Sequence, residues 1–151
     1  MGIGGVACPK AQKGSALRER KERRKNIVAA EDANKAAVRR RDVKCRWPFC
    51  PHCRRYKDLI LHVAHVVEAK GIGGDPTLVR SKVEDLMLLD PLTHAEQERH
   101  ERDVVPLTDR GTSGPCEFWA EDEQGKKYLV AREVAPFVYE RDIPQRNRVL
   151  K

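Results

Sequence analysis

Residues 58–101 read DLILHVAHVVEAKGIGGDPTLVRSKVEDLMLLDPLTHAEQERHE, and the order of this stretch decides the architecture. Leu59 to Val67 is apolar and β-branched, which predicts a strand carrying His62 and His65. Alternation sets Leu61, Val63 and His65 on one face of it and Ile60, His62 and Ala64 on the other. Gly71, Gly73, Gly74 and Pro76 make Ala69 to Lys82 a loop. Val83 to Leu89 is a second apolar run, a strand or a short turn. Asp90 to Arg102 predicts a helix, with Asp90 as its cap and Pro91 at its first position. That helix carries His94 and His100. Four of the five histidines thus fall into two clusters joined by a glycine-rich loop. Imidazole takes a proton near neutral pH or ligates a transition metal, so the pattern points to a hydrolytic site.

Upstream, Cys45, Cys50 and Cys53 form C-x4-C-x2-C within the turn-rich segment RWPFCPHCRRY. Structural zinc takes four soft ligands, commonly paired across short spacers. No later Cys-x-x-Cys pair completes the set, leaving His52 or Asp90 as candidates for the fourth ligand. Thiols without metal are an equally weighted reading. Cys116 reads as a core residue in a later strand, and Cys8 as a free thiol. The loop GIGGDP lets a backbone approach phosphate closely, but such glycines more often only permit a tight turn. Its spacing is not that of a dinucleotide-binding fingerprint.

The chain of 151 residues suits about one domain. Its 40% hydrophobic and 35% charged residues describe a soluble protein. No apolar run approaches the roughly 20 residues needed to cross a bilayer, and no secretory signal is apparent at the N-terminus. The expected compartment is the cytoplasm, where five cysteines read as thiols or metal ligands.

The net charge of +7 is unevenly spread: Lys10 to Arg46 holds fourteen Lys and Arg against five Asp and Glu. A basic arm beside a more neutral body suits a polyanion. Aromatics are scarce in this arm, so duplex phosphate fits better than unpaired bases. A solvated basic helix is the competing reading. The arm lacks Gly and Pro from Ser15 to Asp42, which predicts one long helix, or two, capped by Ser15.

The organisation expected is a mobile segment over 1–14, a basic helical arm over 15–42 and a finger domain over 43–103. A β extension over 104–138 and a frayed charged tail over 139–151 follow. Strands of the extension are expected at Val104–Leu107, Cys116–Ala120 and Tyr128–Val134.

Taken in order, CRWPFCPHCRRYK, LHVAHVVEAKGIGGDP, VEDLMLLDPLTH and ERHERDVVPLT resemble the HNH nuclease family, in particular its small phage and bacterial members. The likeness spans about Ala36 to Trp119. It implies an α+β fold built on a ββα-metal (His-Me) finger and a metal-dependent endonuclease acting on double-stranded DNA. By this resemblance His65 is the general base that activates water, and His94 is a ligand of the catalytic divalent ion (Mg²⁺, Mn²⁺, Ni²⁺ or Zn²⁺). Asp85 stands where the family has Asn and is the second catalytic candidate. His100 is a further metal ligand or a phosphate contact, although six residues do not stack it on His94 along a helix. Arg39, Arg40, Arg41, Lys44, Arg46, Lys70 and Arg80 are the expected DNA contacts. Three positions depart from the pattern: Ala64 replaces a ligand, Asp85 the Asn, and Asp90 a zinc cysteine. They motivate the alternative of a DNA-binding or phage packaging accessory that has lost catalysis. A phage or packaging partner is implied by the resemblance alone. His62 reads as structural or surface. The enzymatic reading requires His65 and His94 to converge on one crevice.

Overall fold

A computed structural model describes residues 10–67, 79 and 81–140 of the chain. Lys70, Arg80, the glycine loop and the outermost terminal segments, with Cys8, lie outside the described residues. The fold mixes helices with two antiparallel sheets, the α+β class expected.

The basic arm forms one continuous helix, α1 (Lys10–Asp42). It starts earlier than the Ser15 cap expected: Ser15 lies inside it, and its hydroxyl bonds Glu19 Oε1 one turn on at 3.3 Å. Residues 14–26 are all exposed, and burial begins only near the C-terminus, where Val38 and Asp42 are fully covered. The apolar stripe is too thin to hold the whole helix on the body. About 20 Å of basic helix, at 1.5 Å per residue, therefore projects into solvent.

A short helix α2 (Pro51–Arg55) leads into strand β1 (His62–His65). A 3-10 turn at Val83–Asp85 runs directly into strand β2 (Leu86–Leu89), so this apolar stretch is both turn and strand. The two strands pair antiparallel with His62 opposite Leu89 and His65 opposite Leu86. Helix α3 (Pro91–Glu98) follows at once, with Asp90 accepting from Leu92 N and Thr93 N at 3.0 Å each. It ends one turn before Arg102, because His100 turns left-handed at φ 58° and its N–H bonds Gln97 O at 3.0 Å. A residue in this conformation closes a helix.

The remaining chain is a four-stranded meander: β3 (Arg102–Pro106), β4 (Cys116–Glu121), β5 (Lys127–Ala135) and β6 (Val138–Tyr139). The short β6 falls partly in what reads as tail. Ala64, Met87 and Leu89 lie on one face of the β1–β2 ribbon and share a core with Trp47, Val104 and Phe118. Trp47 meets Phe118 edge-on, ring centroids 5.4 Å apart, and is covered by Arg102 at 4.7 Å.

Arg46, expected on DNA, is fully buried. Its guanidinium donates to Thr112 O, to Gly114 O at 2.9 Å and to Glu133 Oε2 at 3.3 Å, with Asp42 Oδ1 at 3.6 Å. Its own N–H bonds Leu88 O at 2.9 Å and its carbonyl accepts from Tyr139 OH at 3.1 Å. One residue thus ties the end of α1, β2, the turn before β4 and the last two strands. Arg41 is likewise committed to structure, bonding Asp42, Leu86 O at 2.8 Å and Val83 O at 3.1 Å. Gly111 in that turn has φ +57°, and a Cβ there would strike the backbone of Glu84, so only glycine fits.

Removing one partner of a buried ion cluster strands the others without compensation. Arg46→Ala is expected to lower unfolding free energy by about 3–5 kcal/mol. Exposed Arg40→Ala is expected to change it by less than about 0.5 kcal/mol. Urea denaturation of both variants measures the difference.

Candidate metal centre and histidine constellation

Three cysteines and one aspartate converge from separate elements. Cys45 lies in the loop after α1, Cys50 caps α2, Cys53 sits within α2, and Asp90 caps α3. One ligand atom from each lies within 4.8 Å of all the others, so the group could hold a metal ion. Cys50 Sγ is 3.0 Å and Cys45 Sγ 3.5 Å from Asp90 Oδ2. A tetrahedral zinc would set sulfur and oxygen ligands about 3.6 Å apart, from bonds of about 2.3 and 2.1 Å. Asp90 divides its work: Oδ1 caps α3 while Oδ2 faces the thiols. His52, the other candidate for the fourth ligand, is drawn away to Glu96 Oε2 at 3.3 Å.

The protonation of the cluster is uneven. The Cys45 thiol, donating to Cys50, lowers the Cys50 pKa to about 6 against the opposing effect of burial. Cys45 is itself pushed far up, by that same bond and then by burial. Burial chiefly raises Cys53 to about 11. At Asp90 burial pushes upward, yet hydrogen bonds from Cys50 and Thr93 outweigh it and hold the carboxyl below its usual range. Beside the thiols runs a cleft of about 320 Å³, bordered by Phe49, Phe137 and Tyr139.

The histidines do not assemble as expected. His94 Nδ1 lies 3.2 Å from His62 Nδ1, with the rings perpendicular and 5.5 Å apart, while its Nε2 lies 3.5 Å from Glu98 Oε1. His65 is exposed, and its Nε2 lies 3.2 Å from the hydroxyl of buried Ser81. Ser81 is in turn tied to α1, its carbonyl accepting from Asn34 Nδ2 at 2.7 Å. Strand alternation puts His65 on the face of β1 opposite His62 and Ala64. His94 thus meets His62 rather than His65. Ala64 is fully buried in the core, on the same face as His62. His100 lies beyond α3 and contacts Asp103 Oδ1 at 3.5 Å, away from His94. Asp85 precedes the cross-strand partner of His65, and its carbonyl accepts from Val66 N at 3.0 Å.

Of the expected phosphate contacts, Arg39, Arg40 and Lys44 are exposed. Arg39 also bonds Leu61 O at 3.1 Å, and Lys44 stacks over Phe137 at 5.0 Å. Arg46 and Arg41 are spent internally, as above. The sequence reading missed His62 and Glu98 as neighbours of His94. The i, i+2 spacing of His62 and Ala64 and the i, i+4 spacing of His94 and Glu98 were the available signals. No protein-family model, curated protein or solved structure matches this chain.

Metal binding by thiols displaces protons, so affinity rises with pH. In metal-free protein, thiolate absorbance near 240 nm is expected to show one step near pH 6, from Cys50, and another near pH 11, from Cys53 and the buried Cys116 together. Zinc added at neutral pH should then release protons, mainly from Cys45 and Cys53. Binding without proton release, or unaltered in Cys50→Ser, would contradict the assignment.

Proposed function

We propose that the chain is a metal-dependent endonuclease of the HNH type that hydrolyses phosphodiester bonds of double-stranded DNA, its fold stapled by zinc at Cys45, Cys50, Cys53 and Asp90. The reading is carried by one observation. Strand β1, strand β2 and helix α3 follow in immediate order, with His65 on the first strand and His94 on the helix. That is the order of the ββα-metal finger the sequence resembles. The basic helix α1, exposed over residues 14–26, supplies phosphate attraction that needs no base reading.

In this reading His65 is the base. With Nε2–H donating to Ser81 Oγ, 3.2 Å away, Nδ1 is left unprotonated to take a proton from water. Asp85 holds the turn beside it through the bonds its carbonyl makes to Val66 and Val67. A divalent ion at His94 would neutralise the phosphate and the leaving oxygen. Arg39, Arg40 and Lys44 would hold the strand, and Lys70 and Arg80 belong to the same proposal.

A second reading has its own observation. His65 lies on the face of β1 opposite His62, the residue that His94 contacts, and Ala64 offers no ligand. This favours a zinc-stapled DNA-binding module, such as a packaging accessory, that no longer cuts.

Nicking of supercoiled plasmid with Mg²⁺, Mn²⁺ or Ni²⁺ separates the two. His65→Ala is expected to slow cleavage by about 10²-fold or more. Duplex binding should weaken steeply with salt in either case. Salt-sensitive binding without cleavage in wild type selects the second reading. Cleavage undiminished in His65→Ala removes His65 from the mechanism.

A further inference from the structure

We infer that His62 and His94 together form a second metal site, for a first-row transition ion that favours imidazole, and that Glu98 orients it. The inference shares His94 with the reading above but does not rest on hydrolysis.

The spacing of the two rings fits an ion. Imidazole nitrogens bind zinc at about 2.0–2.1 Å, so two of them on one ion lie about 2.9–3.4 Å apart between right-angled and tetrahedral geometry. The two Nδ1 atoms are 3.2 Å apart. Two lone pairs at this distance repel unless a proton or a cation lies between them.

Glu98 sets the tautomer of His94 that an ion would need. Its carboxylate faces His94 Nε2 at 3.5 Å, so that nitrogen carries the proton and Nδ1 presents its lone pair towards His62. A carboxylate behind a ligating histidine fixes tautomer and ring orientation and raises ligand basicity. The i, i+4 spacing on α3 places Glu98 one turn beyond His94.

The position of His62 compensates for a loss. Ala64 shares its strand face but is sealed in the core and carries no donor. His62 stands two residues earlier, exposed at the open end of that face, where its ring has room to turn towards an ion. With only two protein nitrogens, the ion would keep open positions for water or a phosphate oxygen. Imidazole donors select zinc, nickel or copper over magnesium or calcium. This differs from the thiol group, whose soft ligands close around their ion.

The test titrates zinc-loaded full-length protein with Ni²⁺ by calorimetry, with a zinc indicator to verify that the thiol-held ion stays in place. One Ni²⁺ per chain is expected. His62→Ala and His94→Ala should each weaken it by about 30-fold or more, and Glu98→Gln by about tenfold, within the range seen when outer-shell partners are removed. His52→Ala, which pairs with Glu96 instead, should leave it unchanged. His62 is exposed, so its removal spares the fold, and His62→Ala with Glu98→Gln decides the matter if His94→Ala misfolds. Equal Ni²⁺ affinity in wild type and His62→Ala, or no ion beyond the zinc up to millimolar Ni²⁺, would overturn the inference. Neither outcome depends on whether plasmid is cut.

Discussion

The carboxylate of Asp90 joins two structural problems at one residue. A helix beginning directly after a strand leaves its first N–H groups unpaired, and the nearby thiols of Cys45 and Cys50 need an acceptor. Oδ1 takes the amides of Leu92 and Thr93 while Oδ2 faces Cys50 and Cys45. The cap fixes where α3 starts, and α3 in turn fixes His94. The thiols fix the loop from Cys45 to Cys53, which carries Trp47 into the core. If all four ligands were anionic at once, their mutual repulsion would oppose this packing. A bound cation would reverse that sign and so would couple metal binding to the fold.

A second constraint lies close by in sequence but is electrostatic in another sense. Arg46 is buried between Asp42 and Glu133, and its neighbour Cys45 belongs to the thiol group. Such a cluster contributes less to net stability than to uniqueness of arrangement, since its desolvation cost offsets much of the attraction. Burial raises the Glu133 pKa, although the Arg46 charge pulls it back down. The junction between the projecting helix and the body is therefore built from polar groups that tolerate few alternative partners. That suits a helix that must keep a defined direction while residues 14–26 of it stand exposed.

Local signals made much of this legible. The Asp-Pro pair at 90–91 and the absence of breakers after Ser15 marked the elements, and alternation placed His62 with Ala64 and His65 opposite them. What escaped was tertiary. Arginine is ordinarily a surface residue, so nothing local marked Arg46 as core while Arg39 and Arg40 stayed outside. The early end of α3 depended on a left-handed His100, where glycine would have been the usual sign. Residue order leaves the fourth partner of the thiols open between His52 and Asp90, and the contact of His52 with Glu96, a tertiary one, decides it for Asp90. The pairing of His62 with His94 needed the angle between β1 and α3, which residue order does not carry.

The two groups of candidate ligands divide the chemistry between closure and access. The thiol group is half-buried and suits a permanent ion, whereas the histidines lie at the open end of the ribbon beside solvent. In the proposed reading the first group holds zinc, and Asp90 links that ion to the start of α3 and so to His94. Zinc-edge X-ray absorption of the purified protein tests this most directly. The account predicts one zinc surrounded by three sulfurs at about 2.3 Å and one oxygen at about 2.0–2.2 Å. A shell of nitrogen and oxygen alone, or protein that folds with no zinc, would contradict it.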